Sequence, residues 1–316
     1  VSGASATALL PRYADLWVVS DIHMGGERDA ERNVQIFHRG KRLASFVDSL
    51  IAPSPADDVA LVLNGDIIDS LAEEVVPGYV ALDVGIALLM MERLYVDEAF
   101  APVWDALARF VRTPRRHLVL VLGNHDVELA LPPVQASVRQ RLAGEDAAAD
   151  GRITFATQGG GFACMVGGAR VFCTHGNEVD AWNEVDYGRL AQLANAMNAG
   201  RRIDSSRWEP NAGTRLVVDV MNRVKERHPF VDLLKPEIKP VLGVLLTLDP
   251  GLVREIDFGK GYGVVRELLR GDRRVSDLLS ATDQDLSVVP APHMAHALVH
   301  EVLGSNLAEH IQTAQR

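Results

Sequence analysis

The chain has 316 residues, 47% of them hydrophobic, enough for one large domain or a domain carrying a substantial insertion. A formal net charge of −10 argues against a dedicated nucleic-acid groove, which depends on clustered Lys and Arg. The longest apolar stretch, near residues 241–248, is far too short to span a bilayer, and residues 1–12 lack the long apolar segment of a signal peptide, so the expectation is a cytoplasmic protein with no membrane span.

The first apolar run, residues 16–19, leads into Asp21-Ile22-His23. In extended backbone the spacing of two sends the carboxylate and the imidazole to one side while Ile22 turns to the core. A helix over residues 41–51 follows, with Leu43, Phe46, Val47, Leu50 and Ile51 on one side, and it ends at Pro53. The run 59–63 leads into Gly65-Asp66-Ile67-Ile68-Asp69. One long helical stretch over about residues 80–110 is expected from Leu88, Met91, Leu94 and Tyr95, which recur at helical spacing; Met90 and Met91 read as core. The run 118–122 leads into Gly123-Asn124-His125-Asp126. Beyond Pro132-Pro133, residues 153–174 read as shorter strands around Gly159-Gly160-Gly161 that start a second sheet, and the last run, 171–173, leads to His175-Gly176.

These runs are short and rich in Val and Leu, as strands buried on both faces are. Each polar cluster therefore falls at a strand's carboxyl end, where open α/β sheets bind ligands. Cys164 and Cys173 flank Val166-Gly167-Gly168-Ala169, and a hairpin centred between Gly168 and Ala169 would set them opposite each other within disulfide range. Two small buried thiols are the expectation in a reducing compartment, and neither reads as a nucleophile. After residue 179 the character changes: the runs 188–197, 214–227, 251–269 and 277 onward read as helices broken by Pro210, Pro229, Pro236, Pro240, Pro250 and Pro290. The expected division is a core of residues 1–187 and a helical cap or insertion of residues 188–316. Asn177, Glu178 and Trp182 follow His175 closely and are candidates to line the entrance and bind substrate. Trp182 and Trp208 could stack a base or ring, but core packing is the favoured expectation for each, and the apolar stretch 230–248 is expected to bury against the main domain.

The residue types suit a pair of metal ions. Asp21 and His23 can hold one ion, the two oxygens of Asp66 can bridge, Asn124 adds an amide oxygen without further negative charge, and His175 adds a second imidazole. That mixture suits two divalent ions, Mn first and then Fe or Zn. Two such ions roughly 3.5 to 4 Å apart share a water, lower its pKa toward about 7 and stabilise the attacking and leaving oxygens of a displacement at phosphorus.

In that order, the series D-x-H, G-D-x-x-D, G-N-H-D and H-G over roughly residues 15–180 resembles the calcineurin-like metallophosphoesterase superfamily. The resemblance implies an α/β fold: a two-sheet sandwich flanked by helices, here with a helical cap insertion after the H-G motif. It implies that Asp21 and His23 bind the first metal, that Asp66 bridges, and that Asn124 and His175 bind the second. His125 would protonate the leaving group with Asp126 as orienting partner, and Asp69 would hydrogen-bond around the ligands. The implied reaction is hydrolysis of a phosphorylated small molecule, whether monoester, diester or pyrophosphate, by a metal-bridging hydroxide.

The chain departs from the family in one respect. The closing G-H-x-H motif does not occur between His175 and Arg316. Either the natural chain runs on, as its start at Val1 rather than Met also suggests, or His293, His296 or His300, spaced for one helical face, replace the missing imidazoles. The alternative to an enzyme is a catalytically impaired scaffold that binds a protein partner. Protein Ser/Thr phosphatases of this superfamily usually carry Arg-Gly where Asp69 is followed here by Ser70-Leu71, which disfavours that substrate class. Nothing in the sequence specifies an oligomer.

Overall fold

Two runs rich in Val and Leu, residues 59–63 and 118–122, become central parallel strands because both of their faces are covered by apolar layers. In the computed structural model, which describes residues 10–27, 34–51, 57–73, 82–180 and 183–201 with isolated positions as far as Asn222, strand β1 (Arg12–Tyr13) is followed by β2 (Asp15–Val19), β3 (Val59–Asn64), β4 (Arg116–Val121) and β5 (Ile153–Ala156). The last four form one parallel sheet in the order β2-β3-β4-β5. A second sheet, order β1-β6-β7, joins β1 in parallel to β6 (Phe162–Val166), which pairs antiparallel with β7 (Ala169–Cys173). The period of two sorts the central strands by face. Leu61, Leu63, Leu118 and Leu120 enter the large cluster under the helices, whereas Val62, Val119 and Val121 meet Phe162, Cys164 and Cys173 of the second sheet. The expected two-sheet α/β sandwich flanked by helices is the fold observed.

Helices α1 (Gly40–Ser49), α2 (Val84–Val96), α3 (Ala101–Arg112) and α4 (Pro132–Ala143) lie on the other side, with the single turn α5 (Ala147–Asp150). Val47 of α1, Leu94 of α2, Trp104 and Phe110 of α3 and Val138 of α4 are buried in one cluster. Arg116, at the start of β4, is fully buried, and its guanidinium donates to the carbonyls of Leu50, Ile51 and Asp57, closing the C-terminal end of α1. Helix α6 (Tyr187–Asn198), the first helix of the expected cap, adds Leu190 and Leu193 to the same cluster, which also contains Trp208, a core residue as expected.

Several expectations are corrected. The helical stretch over residues 80–110 is two helices, because a turn forms where Ala99 N–H donates to Asp97 Oδ1, and Pro102, which lacks an N–H, is tolerated only in the first turn of α3. Pro132 and Pro133 likewise open a helix, α4, that leads the chain back over the first sheet, so β5 joins that sheet beside β4 and only β6 and β7 contribute to the second. Strands β2 and β7 are not buried on both faces: Trp17 and Val18 are about half exposed and Phe172 more so, since each strand ends its sheet's order among the described residues. The hairpin turns at Gly167-Gly168, so Cys164 opposes Val171 and Cys173 opposes Phe162; the two thiols are diagonal neighbours, both buried and free. The predicted helices beyond residue 222, the stretch 230–248 and His293, His296 and His300 lie outside the described residues. No helix among the described residues is long and apolar enough to cross a membrane.

Candidate metal centre

The parallel ladder continues past the strand ends and brings the motif loops together. Asp21 N–H donates to Gly65 O, His23 N–H to Asp66 O and Met24 N–H to Ile67 O, at 2.9 to 3.1 Å; Asp69 N–H returns to Met24 O and Ser70 N–H reaches His125 O. This zipper holds Asp21, His23 and Asp66 at φ of 54°, 53° and 51°, a left-handed region that non-glycine residues seldom occupy and that is retained at sites where the surroundings enforce it. Two glycines make room. A Cβ on Gly65 would sit 2.4 Å from the His175 ring, and one on Gly123 would sit 2.2 Å from Asp66 Oδ1.

Asp66 is the hub. Its Oδ2 lies 3.6 Å from His23 Nε2 and 3.3 Å from His175 Nε2, while its Oδ1 accepts the His125 backbone N–H at 2.9 Å. Asp21, His23 and Asp66 offer ligand atoms that lie within 4.8 Å of one another. Asn124 is buried in the turn next to His125. The His175 ring is fixed from behind: Nδ1 stands 3.0 Å from Asn64 O, and since a carbonyl only accepts, Nδ1 carries the proton and Nε2 points at Asp66.

Asp69 lies between two imidazoles. Its Oδ1 is 3.0 Å from His125 Nδ1 and its Oδ2 is 3.5 Å from His23 Nδ1, and these last two atoms are buried without a hydrogen-bond partner. The rings of His23 and His125 meet edge to face at 4.7 Å. His23, Asp69 and His125 also satisfy the spacing of a three-ligand cation site. The 3.0 Å bond fixes the His125 ring against fully buried Asp69, whose other oxygen is turned toward His23, with His23 Nε2 left facing Asp66.

Asp126 occupies a different place from the one expected. Its Oδ1 accepts Gly123 N–H and its Oδ2 accepts Ile67 N–H, each at 2.7 Å, so it stitches the third motif loop to the second. The partner of the His125 ring is Asp69; Asp126 is committed to the backbone because the turn after β4 folds its side chain beneath the loop rather than toward the imidazole. Asn177 is corrected too. It is buried, donates to Asn183 O and accepts from the Tyr187 hydroxyl, so it does not line an entrance. Glu178 turns back onto the loop of His175. Trp182 lies outside the described residues.

The electrostatics follow from crowding carboxylates in a dry interior. Burial opposes the ionised form of Asp66 and Asp69, yet His125 above all, with His23, and for Asp66 also His175, outweighs it and holds both far below the usual carboxylate range. His175 is the counterpart: burial would lower its pKa, but Asp66 and the Asn64 carbonyl raise it to about 9. Burial and the Asp66 charge push Asp126 up to about 7 against its two backbone donors. Glu128, fully buried in the turn after Asp126, is raised to about 7 chiefly by burial.

Some of this support has no motif in the sequence. Glu73 accepts Gly26 N–H at 2.7 Å and pairs with Arg93 of α2, which fastens the loop after His23 to a helix far along the chain. Asn222 donates to Leu71 O beside Asp69. Each pairing spans many residues and obeys no local spacing, so only a hydrophilic residue interrupting an apolar helix, as Arg93 does, could have drawn attention to it.

Carboxylates and imidazoles gathered at the strand-end loops of a two-sheet α/β sandwich, spaced to hold a metal ion, define the class of the protein. A model of the calcineurin-like phosphoesterase family matches residues 14–238, and the chain belongs to that family of metal-dependent phosphoester hydrolases. Searches among curated proteins and among solved structures return no significant match.

Proposed function

We propose that the chain hydrolyses a phosphoester of a small molecule with the help of two divalent ions held in the loops after β2, β3, β4 and β7. The observation that carries this reading is the buried Oδ2 of Asp66, faced by imidazole Nε2 atoms from two separate loops, His23 at 3.6 Å and His175 at 3.3 Å. Asp21 and His23 would hold one ion, Asn124 and His175 the other, with Asp66 shared. The orphaned His23 Nδ1 and Asp69 Oδ2 fit this set, because a ligand histidine commonly offers its second nitrogen to a carboxylate behind it. The donors favour Mn, then Fe or Zn. Bound there, the ions would supply an activated water and charge for the phosphoryl oxygens.

The chain's own residues supply orientation and a proton. Ionised Asp69 accepts Nδ1–H of His125, which leaves Nε2 as the nitrogen that hands a proton to the departing oxygen. The His125 backbone N–H on Asp66 Oδ1 ties that proton donor to the shared ligand, so the acid and the metal pair keep one geometry. Asp126 holds the two loops in register. Protonation matters most for basic leaving groups, so monoesters and diesters of alcohols are the substrates on which His125 counts.

Metal content and turnover of p-nitrophenyl phosphate, bis-p-nitrophenyl phosphate and an alkyl phosphate, with Mn and for wild type and His125→Ala, test this. Two ions per chain are expected, with a loss of about 10²- to 10⁴-fold on the alkyl ester in the variant and a smaller loss on nitrophenyl esters, whose leaving group departs without a proton. A folded wild type with no bound metal and no turnover would overturn the reading in favour of a scaffold.

A further inference from the structure

The peptides on either side of His175 are held by a set of hydrogen bonds that the metal ligands do not require. Glu178 Oε1 accepts the Thr174 hydroxyl at 3.1 Å and, 3.2 Å from the Tyr187 hydroxyl, shares that one proton with Asn177 Oδ1 at 3.1 Å, and Glu178 Oε2 accepts Gly176 N–H at 3.0 Å. From the opposite side Asn64 Nδ2 donates to Thr174 O at 2.9 Å, while the Asn64 carbonyl takes the proton of His175 Nδ1. Tyr187 opens α6, and its ring lies over Gly159, where a Cβ would come within 2.6 Å of it. Burial and the Glu178 charge raise the pKa of the Tyr187 phenol, which keeps it a donor. Gly176 sits at φ 102°, so the turn after His175 is one that needs outside support to stay in a single conformation. A carboxylate that accepts N–H and O–H donors makes stronger bonds than a neutral group would, and here they grip the Thr174 side chain and the Gly176 peptide on either side of one imidazole.

We propose that Glu178, held by Tyr187 and assisted by Asn64, is a positioning residue that presets the His175 imidazole toward Asp66 for a divalent cation. The inference rests on the reading of His175 as a metal ligand. It makes Glu178 part of the machinery without contact to substrate. One charge clamps the loop, the carbonyl at the end of β3 takes the ring's Nδ1–H, and Nε2 is directed at Asp66 before any ion arrives.

Calorimetric titration of Mn into the chelator-stripped full chain tests it, for wild type, Glu178→Ala, Tyr187→Phe, His175→Ala and the double variant Glu178→Ala/His175→Ala. Imidazole ¹⁵N NMR of the stripped proteins accompanies the titrations. Glu178→Ala is expected to weaken one Mn step by about 10- to 100-fold and leave the other unchanged. Tyr187→Phe, which removes a single hydroxyl donor, is expected to weaken the same step by about 2- to 10-fold. In the His175→Ala background the Glu178→Ala effect should vanish, because nothing remains to be positioned. The His175 Nδ1–H signal, held by Asn64 O, should broaden or be lost in Glu178→Ala, while the ring signals of His23 and His125 hold. Equal Mn affinity in wild type and both single variants overturns the inference, as does an equal loss with and without His175, which would mark a general structural role. If Glu178→Ala does not fold, Tyr187→Phe carries the test alone by the same two readouts. Wild type that binds no Mn would instead overturn the metal-site reading itself, and with it this one.

Discussion

Replacing Glu128 by Gln should stabilise the protein, and by an amount that depends on pH. Glu128 is fully buried, one of its oxygens has no hydrogen-bond partner, and its pKa rises from an ordinary 4.5 to about 7. Below the lower value both folded and unfolded chains carry the proton, and the group adds no pH-dependent term. As pH rises above it the unfolded chain releases the proton while the folded one retains it, so stability falls, and above the folded pKa the full penalty persists. At about 1.4 kcal/mol per pKa unit, the cost is on the order of 1 kcal/mol at pH 5.5 and about 3 kcal/mol at pH 8.5. Gln keeps the shape and a hydrogen-bonding end without the charge. Urea denaturation in EDTA at the two pH values should therefore show Glu128→Gln more stable than wild type, with a gain about 2 kcal/mol larger at pH 8.5. An equal change at both pH values, or a loss at the higher one, would refute the reasoning, since only ionisation of Glu128 produces a difference of that sign.

Other consequences are as direct. Gly123→Ala places a methyl group 2.2 Å from Asp66 Oδ1 and should displace the carboxylate proposed to be shared by the ions, lowering turnover by about 10²-fold or more while circular dichroism stays native. Asp69→Asn removes the carboxylate that fixes His125; kcat should fall by about 10²- to 10⁴-fold with little change in KM, and a KM effect alone would deny it the orienting role. Arg116→Met leaves the buried Leu50 carbonyl and the partly buried carbonyls of Ile51 and Asp57 without their guanidinium donor and should cost about 1 to 3 kcal/mol in a denaturation curve. Cys164 and Cys173 should both react with a thiol reagent only after unfolding, with no change in thermal midpoint on adding a reductant.

The strands and the loop positions of the proposed metal ligands were legible because both are local. A run such as Leu61-Val62-Leu63 declares its buried faces by composition, and a polar cluster directly after it must leave the sheet at one end. The helix break at Asp97, the opening of α4 at Pro132 and the sheet that β5 joins were misread because proline marks a boundary without saying what starts there. Spacing put Asp126 next to His125 in sequence, whereas the folded turn gave that ring to Asp69, 56 residues away. The cysteine register also turned on which two residues, Gly167 and Gly168, make the hairpin turn.

By itself, then, the sequence determined which residues stand at strand ends and which chemistry their side chains offer, for these depend on neighbours within a few positions. Only the tertiary structure decided which carboxylate meets which imidazole, which glycine must yield to which side chain, and that Glu178 and Tyr187 frame His175. Those pairings form between segments brought together by burying the Leu and Val faces of two sheets. A hydrogen bond across such a junction is set by the geometry of packing, which no spacing along one strand encodes.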